Sequence, residues 1–209
     1  MLAMVIAYHC IFSAYGFWLP NDPRGSWSDF VGRWELIRFG SPRRTMERKA
    51  LSELTRLEQA KRDAAKKALI YPPVTLTPEQ TQSVATGFAE AVQKSGYTIW
   101  GCAIMPQHTH LVIARHTYKV EQIANLLKGE ATRQIVSDQR HPISQSEADS
   151  KLPSIWGGGC WKVYLDQEET IQNAIRYVEN NPLEEEKPRQ NWPFVQPFRG
   201  LDSGWTTYH

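Results

Sequence analysis

The sequence predicts an α+β fold in which helices pack on an antiparallel β-sheet. Short runs rich in Val, Ile and aromatic residues alternate with longer segments of strong helix formers. Strands are predicted at 4–15, 97–105, 108–115 and 160–165, and helices at 45–69, 78–94, 119–138 and 167–180. Without the first helix, the order is βαββαβ, the ferredoxin-like split βαβ pattern, followed by an additional C-terminal helix. We interpret residues 1–209 as a single domain with one insertion.

The first strand, residues 4–15, consists mainly of residues that favour an extended backbone. This stretch lacks the basic start and the small-residue cleavage site of a signal peptide, and it carries His9 in its middle. It is also short for a membrane span. A buried strand is therefore the preferred interpretation.

An insertion of approximately residues 20–77 follows the first strand and contains the first helix. The apolar residues of this helix share one face: Ala50, Leu51, Leu54 and Leu57. Eleven Lys or Arg and five Asp or Glu lie between Arg33 and Lys67, although the net charge of the chain is only +2. A basic helical insertion of this kind fits a polyanion bound on one face, and a solvated charged helix is the alternative.

The middle of the chain predicts a capped helix and a β-hairpin. Thr77 precedes Pro78 at the first helical turn, and Ser95-Gly96 ends the helix. Pro106-Gln107 forms a tight turn between the second and third strands, so that these two strands pair as a hairpin.

The C-terminal part predicts a long helix, a short strand and a final helix. We expect the final helix, 167–180, to stop at Asn181-Pro182, because proline interrupts helices. The tail, approximately 183–209, is aromatic and irregular. Helices on one face of the sheet are sufficient to form the core of such a fold.

The three cysteines lie far apart in the sequence, at Cys10, Cys102 and Cys160. No C-x-x-C pair is present, which argues against a disulfide framework and against a structural zinc site. This pattern favours a reducing, cytoplasmic location.

Two histidines, His108 and His110, are separated by one residue in the third predicted strand. Alternate residues of a strand point to the same face, so the two imidazoles project together and Thr109 faces the other side. Two neutral imidazoles side by side can chelate a divalent metal ion such as Mn²⁺ or Zn²⁺, and harder ions as well. Separate core or surface roles for the two histidines are the alternative.

The final helix carries a second pair of polar residues, Tyr177 and Asn181. They are four residues apart and therefore lie on one helical face, at the edge of the apolar stripe of Ile171, Ile175 and Val178. Tyr177 could lean across the sheet toward the histidines, and Asn181 could offer an oxygen to the same metal. An ordinary boundary tyrosine is the alternative.

The motifs "MPQHTHLVI", "RYVENNP" and "WPF", in this order, resemble the HUH-type single-tyrosine transposases. The resemblance is to REP-associated tyrosine transposases and IS200-like transposases, which act on single-stranded DNA hairpins. It extends over most of 1–20 and 78–198, including "WGGGCWKVYL". The resemblance implies that His108, His110 and Asn181 bind a divalent metal, Mg²⁺ or Mn²⁺, and that Tyr177 on the extra C-terminal helix is the nucleophile.

The implied reaction is the nicking and transfer of single-stranded DNA in transposition. The metal would polarise the scissile phosphate, and the tyrosine would attack to give a 5′-phosphotyrosine link and a free 3′-OH. The covalent link preserves the phosphodiester energy, so a second 3′-OH can reverse the step without ATP. The residues identify no general base.

Single-stranded DNA is held by basic grooves and by stacking aromatic rings. The candidates for backbone contacts are Arg43, Arg44, Arg48, Lys49, Lys61, Arg62, Lys66, Lys67 and Lys162. The candidates for base stacking are Trp156, Trp161 and Trp192, and core packing is the alternative for each of them. The expected partner is single-stranded or hairpin DNA, with the protein acting as a monomer or homodimer and without a membrane.

Two other functions fit parts of the sequence. The first is an inactive relative that only binds structured single-stranded nucleic acid. The second is a cupin-type metal enzyme, but that site needs a carboxylate four or five residues beyond the second histidine, where Ala114 and Arg115 stand. The βαββαβ order also disagrees with a β-barrel.

Overall fold

A computed structural model describes residues 4–19, 53–143 and 152–201. In these three segments the chain forms four strands and four helices. The strands are β1 (Ala7–Ser13), β2 (Ile99–Ile104), β3 (His108–Ala114) and β4 (Trp161–Leu165). The helices are α1 (Arg56–Lys67), α2 (Pro78–Ser95), α3 (Val120–Ser137) and α4 (Glu168–Glu184).

The four strands form one antiparallel sheet in the order β2-β3-β1-β4. The central strands β1 and β3 pair with Ile11 opposite His110 and Ser13 opposite His108. β2 and β3 form the predicted hairpin around residues 105–107. This topology confirms the predicted α+β fold with a ferredoxin-like antiparallel sheet and an additional C-terminal helix.

Helices cover both faces of the sheet, although helices on one face would have been sufficient to form the core. α2 and α3 pack on the first face over a large apolar cluster that includes Phe12, Phe88, Leu111 and Leu127. α4 packs on the second face over a smaller cluster that includes Trp100, Met105, Val112, Ile171 and Val178. The second layer forms because alternate residues of the same strands are also apolar, and the stripe of α4 buries them.

α2 has the ends that its sequence predicts. The Thr77 side chain accepts a hydrogen bond from the Gln80 backbone N–H, and the Gln80 side chain accepts one from the Thr77 N–H. Gly96 adopts φ +70° and ends the helix, a left-handed conformation that costs glycine little.

Two helix boundaries differ from the predicted ones. α1 begins at Arg56, because Thr55 caps it by accepting a hydrogen bond from the Glu58 N–H. The predicted residues 45–52 lie outside the described segments. α4 continues through Pro182 to Glu184, because a proline one turn from the C-terminus removes a single helical hydrogen bond and leaves the final turn intact.

Within the described segments, the model contains no helix with the length and apolar character needed to cross a membrane.

Candidate active site

The third strand presents both predicted histidines on the face covered by α4. His108 and His110 have ring centroids 4.9 Å apart. Thr109 points to the opposite face and is fully buried there. The pairing of β3 with two neighbouring strands fixes these directions, because alternate residues of a strand project to opposite faces.

The first strand adds a third histidine that the sequence analysis did not assign to the site. His9 Nε2 lies 3.1 Å from His110 Nδ1, and the two rings meet edge to edge with centroids 5.3 Å apart and planes inclined by 28°. The side chains are buried, at 8% exposure for His9 and 5% for His110. The site therefore contains three imidazoles from the two central strands of the sheet.

The final helix brings Tyr177 to the histidines, and Asn181 lies one helical turn further along the same helix. The Tyr177 ring centroid lies 5.6 Å from that of His9 and 5.6 Å from that of His110. The Tyr177 side chain is 40% exposed, whereas Asn181 is 7% exposed. The predicted convergence of the tyrosine with the histidine strand is thus present in the structure, at the solvent edge of α4.

Burial keeps the imidazoles of His9 and His110 neutral near pH 7. It lowers the pKa of His9 to about 4. Burial, followed by the charges of His108 and His9, lowers the pKa of His110 to about 2. A neutral imidazole retains a nitrogen lone pair, the form in which histidine binds metals.

The residues fit the divalent metal that the resemblance implies. The Asn181 side-chain oxygen is buried and accepts no hydrogen bond from any residue that the structure describes. Among those residues, no group of three or more His, Cys, Asp or Glu side chains is arranged to hold a metal. A site on this face would therefore combine the imidazoles of His108 and His110 with the Asn181 amide oxygen, a donor set suited to Mn²⁺ or Mg²⁺ completed by substrate oxygens.

Aromatic rings surround the histidines. Phe17 stacks on His108 with centroids 5.2 Å apart and an interplanar angle of 10°, and Trp18 lies 6.4 Å from the same ring. Trp161, a predicted stacking residue, lies 6.4 Å from His9 in an edge arrangement. The sequence shows an aromatic run directly after β1, but it does not show that Phe17 and Trp18 turn toward His108.

α1 carries the predicted basic residues that the structure describes: Lys61, Arg62, Lys66 and Lys67. Leu19 and Ala65 are buried against each other, with Leu69 packed on them. Leu19 follows β1 closely, so α1 lies near the end of the sheet where Ser13 pairs with His108. The other four predicted contacts, Arg43, Arg44, Arg48 and Lys49, lie outside the described residues.

Three of the predicted DNA contacts lie away from the histidines. Trp156 is a core residue at 6% exposure, and its indole N–H donates to the Lys128 carbonyl at 3.0 Å, so we do not retain it as a stacking residue. Lys162 forms an ion pair with Glu121 of α3. Trp192 packs on the cluster beneath α2 and α3, the face opposite the site.

A buried lysine holds the glycine-rich segment that precedes β4. The Lys128 ammonium donates hydrogen bonds to the carbonyls of Gly157 and Gly159. Burial lowers the pKa of Lys128. A side chain at Gly157 would meet the Ser13 hydroxyl at 2.6 Å, so this glycine permits a close approach to the end of β1.

Comparison with known proteins identifies one family and finds distant similarity to several solved structures. The family model described as "Transposase IS200 like" matches residues 71–181, more than half of the chain, and this range contains His108, His110, Tyr177 and Asn181. No curated protein matches the sequence.

The chain is similar in structure to a REP-associated tyrosine transposase that was solved bound to a REP hairpin. The identity is 10%, the match covers 93% of this chain and 78% of the other, and the TM-score is 0.48. It is also similar to a protein from Deinococcus radiodurans R1 that was named as a candidate transposase. Here the identity is 11%, the match covers 85% and 91% of the two chains, and the TM-score is 0.39.

Proposed function

The chain belongs to the IS200-like transposase family, and from this premise we propose that it is a metal-dependent single-stranded DNA endonuclease and strand transferase. Its substrate would be hairpin or repeat DNA, and its intermediate a 5′-phosphotyrosine. The observation that carries the proposal is the position of the Tyr177 ring, 5.6 Å from the His110 ring and one helical turn from the buried oxygen of Asn181.

His108, His110 and Asn181 would hold the Mg²⁺ or Mn²⁺ ion. When bound, the ion supplies positive charge that polarises the scissile phosphate. β3 and β1 hold the imidazole of His110 in place, and α4 fixes Asn181 because its apolar stripe is anchored by Ile171 and Val178. The protein contributes a preorganised arrangement of donors, so little reorganisation is needed when charge develops in the transition state.

Tyr177 is the nucleophile of the proposed reaction. Its phenol oxygen forms a bond to phosphorus while the bond from phosphorus to the 3′-oxygen of the preceding nucleotide breaks. The phenol loses its proton to solvent, and the leaving 3′-oxygen gains one. The 40% exposure of the Tyr177 side chain lets a DNA strand reach it, and a 3′-OH of a second strand can reverse the step.

The DNA strand would be gripped by α1 and by the aromatic residues near His108. α1 contains five basic and two acidic side chains, and its anchoring through Leu19 and Ala65 leaves Lys61 and Lys67 exposed. Phosphate contacts release counterions, so for a single strand the logarithm of affinity should fall by roughly 0.7 per contact for each tenfold rise in salt. Replacing Lys61 or Lys67 with Ala should reduce that slope by about 0.7, and an unchanged slope would show that α1 does not contact the DNA.

The decisive experiment is a denaturing-gel assay for covalent protein–DNA adducts on hairpin oligonucleotides with Mg²⁺ or Mn²⁺. Tyr177→Phe should abolish the adduct and leave gel-shift affinity nearly unchanged. Tyr164→Phe is the matched control, because Tyr164 is also an exposed tyrosine but lies in β4. This variant should form as much adduct as the wild-type protein. Adducts from Tyr177→Phe would refute the assignment of the nucleophile. Wild-type protein that binds hairpins without forming adducts would favour the binding-only relative.

A further inference from the structure

The contact between His9 and His110 constrains where the protons of these rings lie. Two neutral imidazole nitrogens 3.1 Å apart must share one proton, because two lone pairs repel and two N–H groups collide. Either His110 Nδ1–H donates to His9 Nε2, or His9 Nε2–H donates to His110 Nδ1. In the first arrangement His110 has a lone pair on Nε2, and in the second that nitrogen carries a hydrogen.

We propose that His9 is a positioning residue that accepts a hydrogen bond from His110 Nδ1–H and thereby leaves His110 Nε2 unprotonated for the metal. This inference rests on the proposed function, since it assigns His110 as a ligand. A neutral imidazole bears one hydrogen, so His9 then carries its own hydrogen on Nδ1. The arrangement follows a general rule, in which the partner of one ring nitrogen determines the state of the other.

The surroundings hold His9 in the orientation that this role requires. β1 pairs with both β3 and β4, so the backbone of His9 lies in the middle of the sheet. Its ring meets His110 through the nitrogen contact and packs in T-shaped arrangements with the rings of Tyr177 and Trp161. Among the residues that the structure describes, the His9 side chain has one hydrogen-bond partner, which is His110. A ring packed on three sides keeps its Nε2 directed at the same partner.

His9 serves the nucleophile as well as the ligand. Tyr177 packs equally far from His9 and His110, so the paired rings form one support for the tyrosine. Without the imidazole at position 9, the tautomer of His110 would no longer be fixed and Tyr177 would lose a packing contact. A replacement side chain that keeps a hydrogen-bond acceptor should fix the tautomer again.

Nitrogen-15 NMR of the metal-free wild-type protein tests the tautomer directly. The expected spectrum shows His110, and His9 as well, protonated on Nδ1, the less common tautomer of free histidine. His116→Gln is the control that should leave these signals unchanged, because His116 contacts Tyr97 and Tyr118 outside the site. His110 protonated on Nε2 would overturn the proposal.

Calorimetric titration with Mn²⁺ tests the consequence for the metal. His9→Phe should weaken Mn²⁺ binding about 10- to 100-fold, the usual effect of removing the partner of a ligating histidine. His9→Gln keeps a hydrogen-bond acceptor and should recover most of the affinity. Binding of Mn²⁺ by His9→Phe with wild-type affinity would overturn the role of His9.

The two measurements separate this inference from the proposed function. Wild-type protein that binds no Mn²⁺ would remove the metal site and the role of His9 with it, whichever tautomer is found. Mn²⁺ binding together with a His110 that is protonated on Nε2 in the metal-free protein would keep the metal site and remove only the inference. If His9→Phe does not fold, His9→Gln and the wild-type spectrum still decide the question.

Discussion

The two faces of the sheet are built from the same strands but bury different side chains. Beneath α2 and α3 the strands contribute Phe12, Leu111 and Ile113 to a continuous apolar cluster. Beneath α4 the same strands contribute His9, His108 and His110 beside a smaller apolar cluster. The difference shows how one strand can serve two purposes. The side chains on one face stabilise the fold, while the alternate side chains on the other face carry the candidate chemistry.

The largest effect is expected from His110→Ala, on the face beneath α4. A metal that polarises a phosphoryl oxygen is worth several kcal/mol, so losing a ligand should slow adduct formation on the order of a thousandfold. The free energy of unfolding should fall as well, because the change removes a buried ring beside Tyr177 and leaves His9 Nε2 without its partner, so rates are compared per folded molecule. Initial rates of adduct formation with Mn²⁺ measure the effect. A rate within tenfold of wild type would show that His110 does not act in cleavage.

The adjacent residue, Leu111, provides the matched test of the other face. Leu111 is fully buried, and Leu111→Ala should lower the free energy of unfolding by about 2–5 kcal/mol through lost burial and the cavity that remains. Urea denaturation measures this change. The fraction that stays folded should form adducts at the wild-type rate, and a large loss of rate per folded molecule would contradict the division between the faces.

The next effect concerns the contact between α2 and α3. A Cβ at Gly87 would lie 2.6 Å from the Ala131 Cα, which is backbone and cannot move without shifting α3. Gly87→Ala should therefore lower the free energy of unfolding by roughly 1–3 kcal/mol despite the better helix propensity of alanine. Thermal and urea unfolding both measure it. Gly129→Ala is the control within α3, where a Cβ meets only the end of the Arg133 side chain at 3.9 Å, and it should be neutral or stabilising.

Acid should destabilise the metal-free protein through the face beneath α4. Burial lowers the pKa of His9 from 6.5 to about 4, so between these pH values the unfolded chain binds a proton that the folded chain does not. The free energy of unfolding should be constant above pH 6.5 and fall below it, by roughly 2 kcal/mol for His9 between pH 7 and pH 5. Urea titrations in EDTA across this range measure the slope. His9→Gln should remove about half of the slope, because the lowered pKa of His110 contributes a similar share, and an unchanged slope would exclude His9 as a source.

The smallest effect is expected at the surface, from Glu121→Gln. This change removes the ion pair with Lys162, which is partly exposed to solvent on both sides. Exposed pairs of this kind contribute at most about 1 kcal/mol, so the midpoint of urea denaturation should move only slightly. A shift as large as that of Leu111→Ala would show that Lys162 has a structural role beyond this pair.

The parts of the molecule that follow from local patterns were predictable from the sequence. The cap at Thr77, the turn at Gly96 and the shared face of His108 and His110 depend on neighbours within a few residues, and each is present. The convergence of Tyr177 with the histidine strand was implied by the family resemblance, because helical periodicity alone also allowed an ordinary boundary tyrosine.

The features that depend on contacts between elements, or on the exact end of a helix, were not predictable from the sequence. His9 was noticed only as an unusual residue in a strand, because periodicity does not reveal the register that pairs Ile11 with His110 and brings His9 beside it. Trp156 was a stacking candidate, and only its packing against α3 shows that it belongs to the core. Pro182 was expected to end α4, but a proline one turn from the end of a helix removes too little to stop it.

The alternation of β3 limits how this part of the chain can change during evolution. A one-residue slip of β3 against β1 would place Thr109 and Leu111 beneath α4 and turn both imidazoles into the apolar cluster on the other side. Gain or loss of a residue within His108–Ala114 is therefore not tolerable. An alignment of active descendants of this sequence should be free of gaps across β3, and length variation should accumulate in the connections between the other elements.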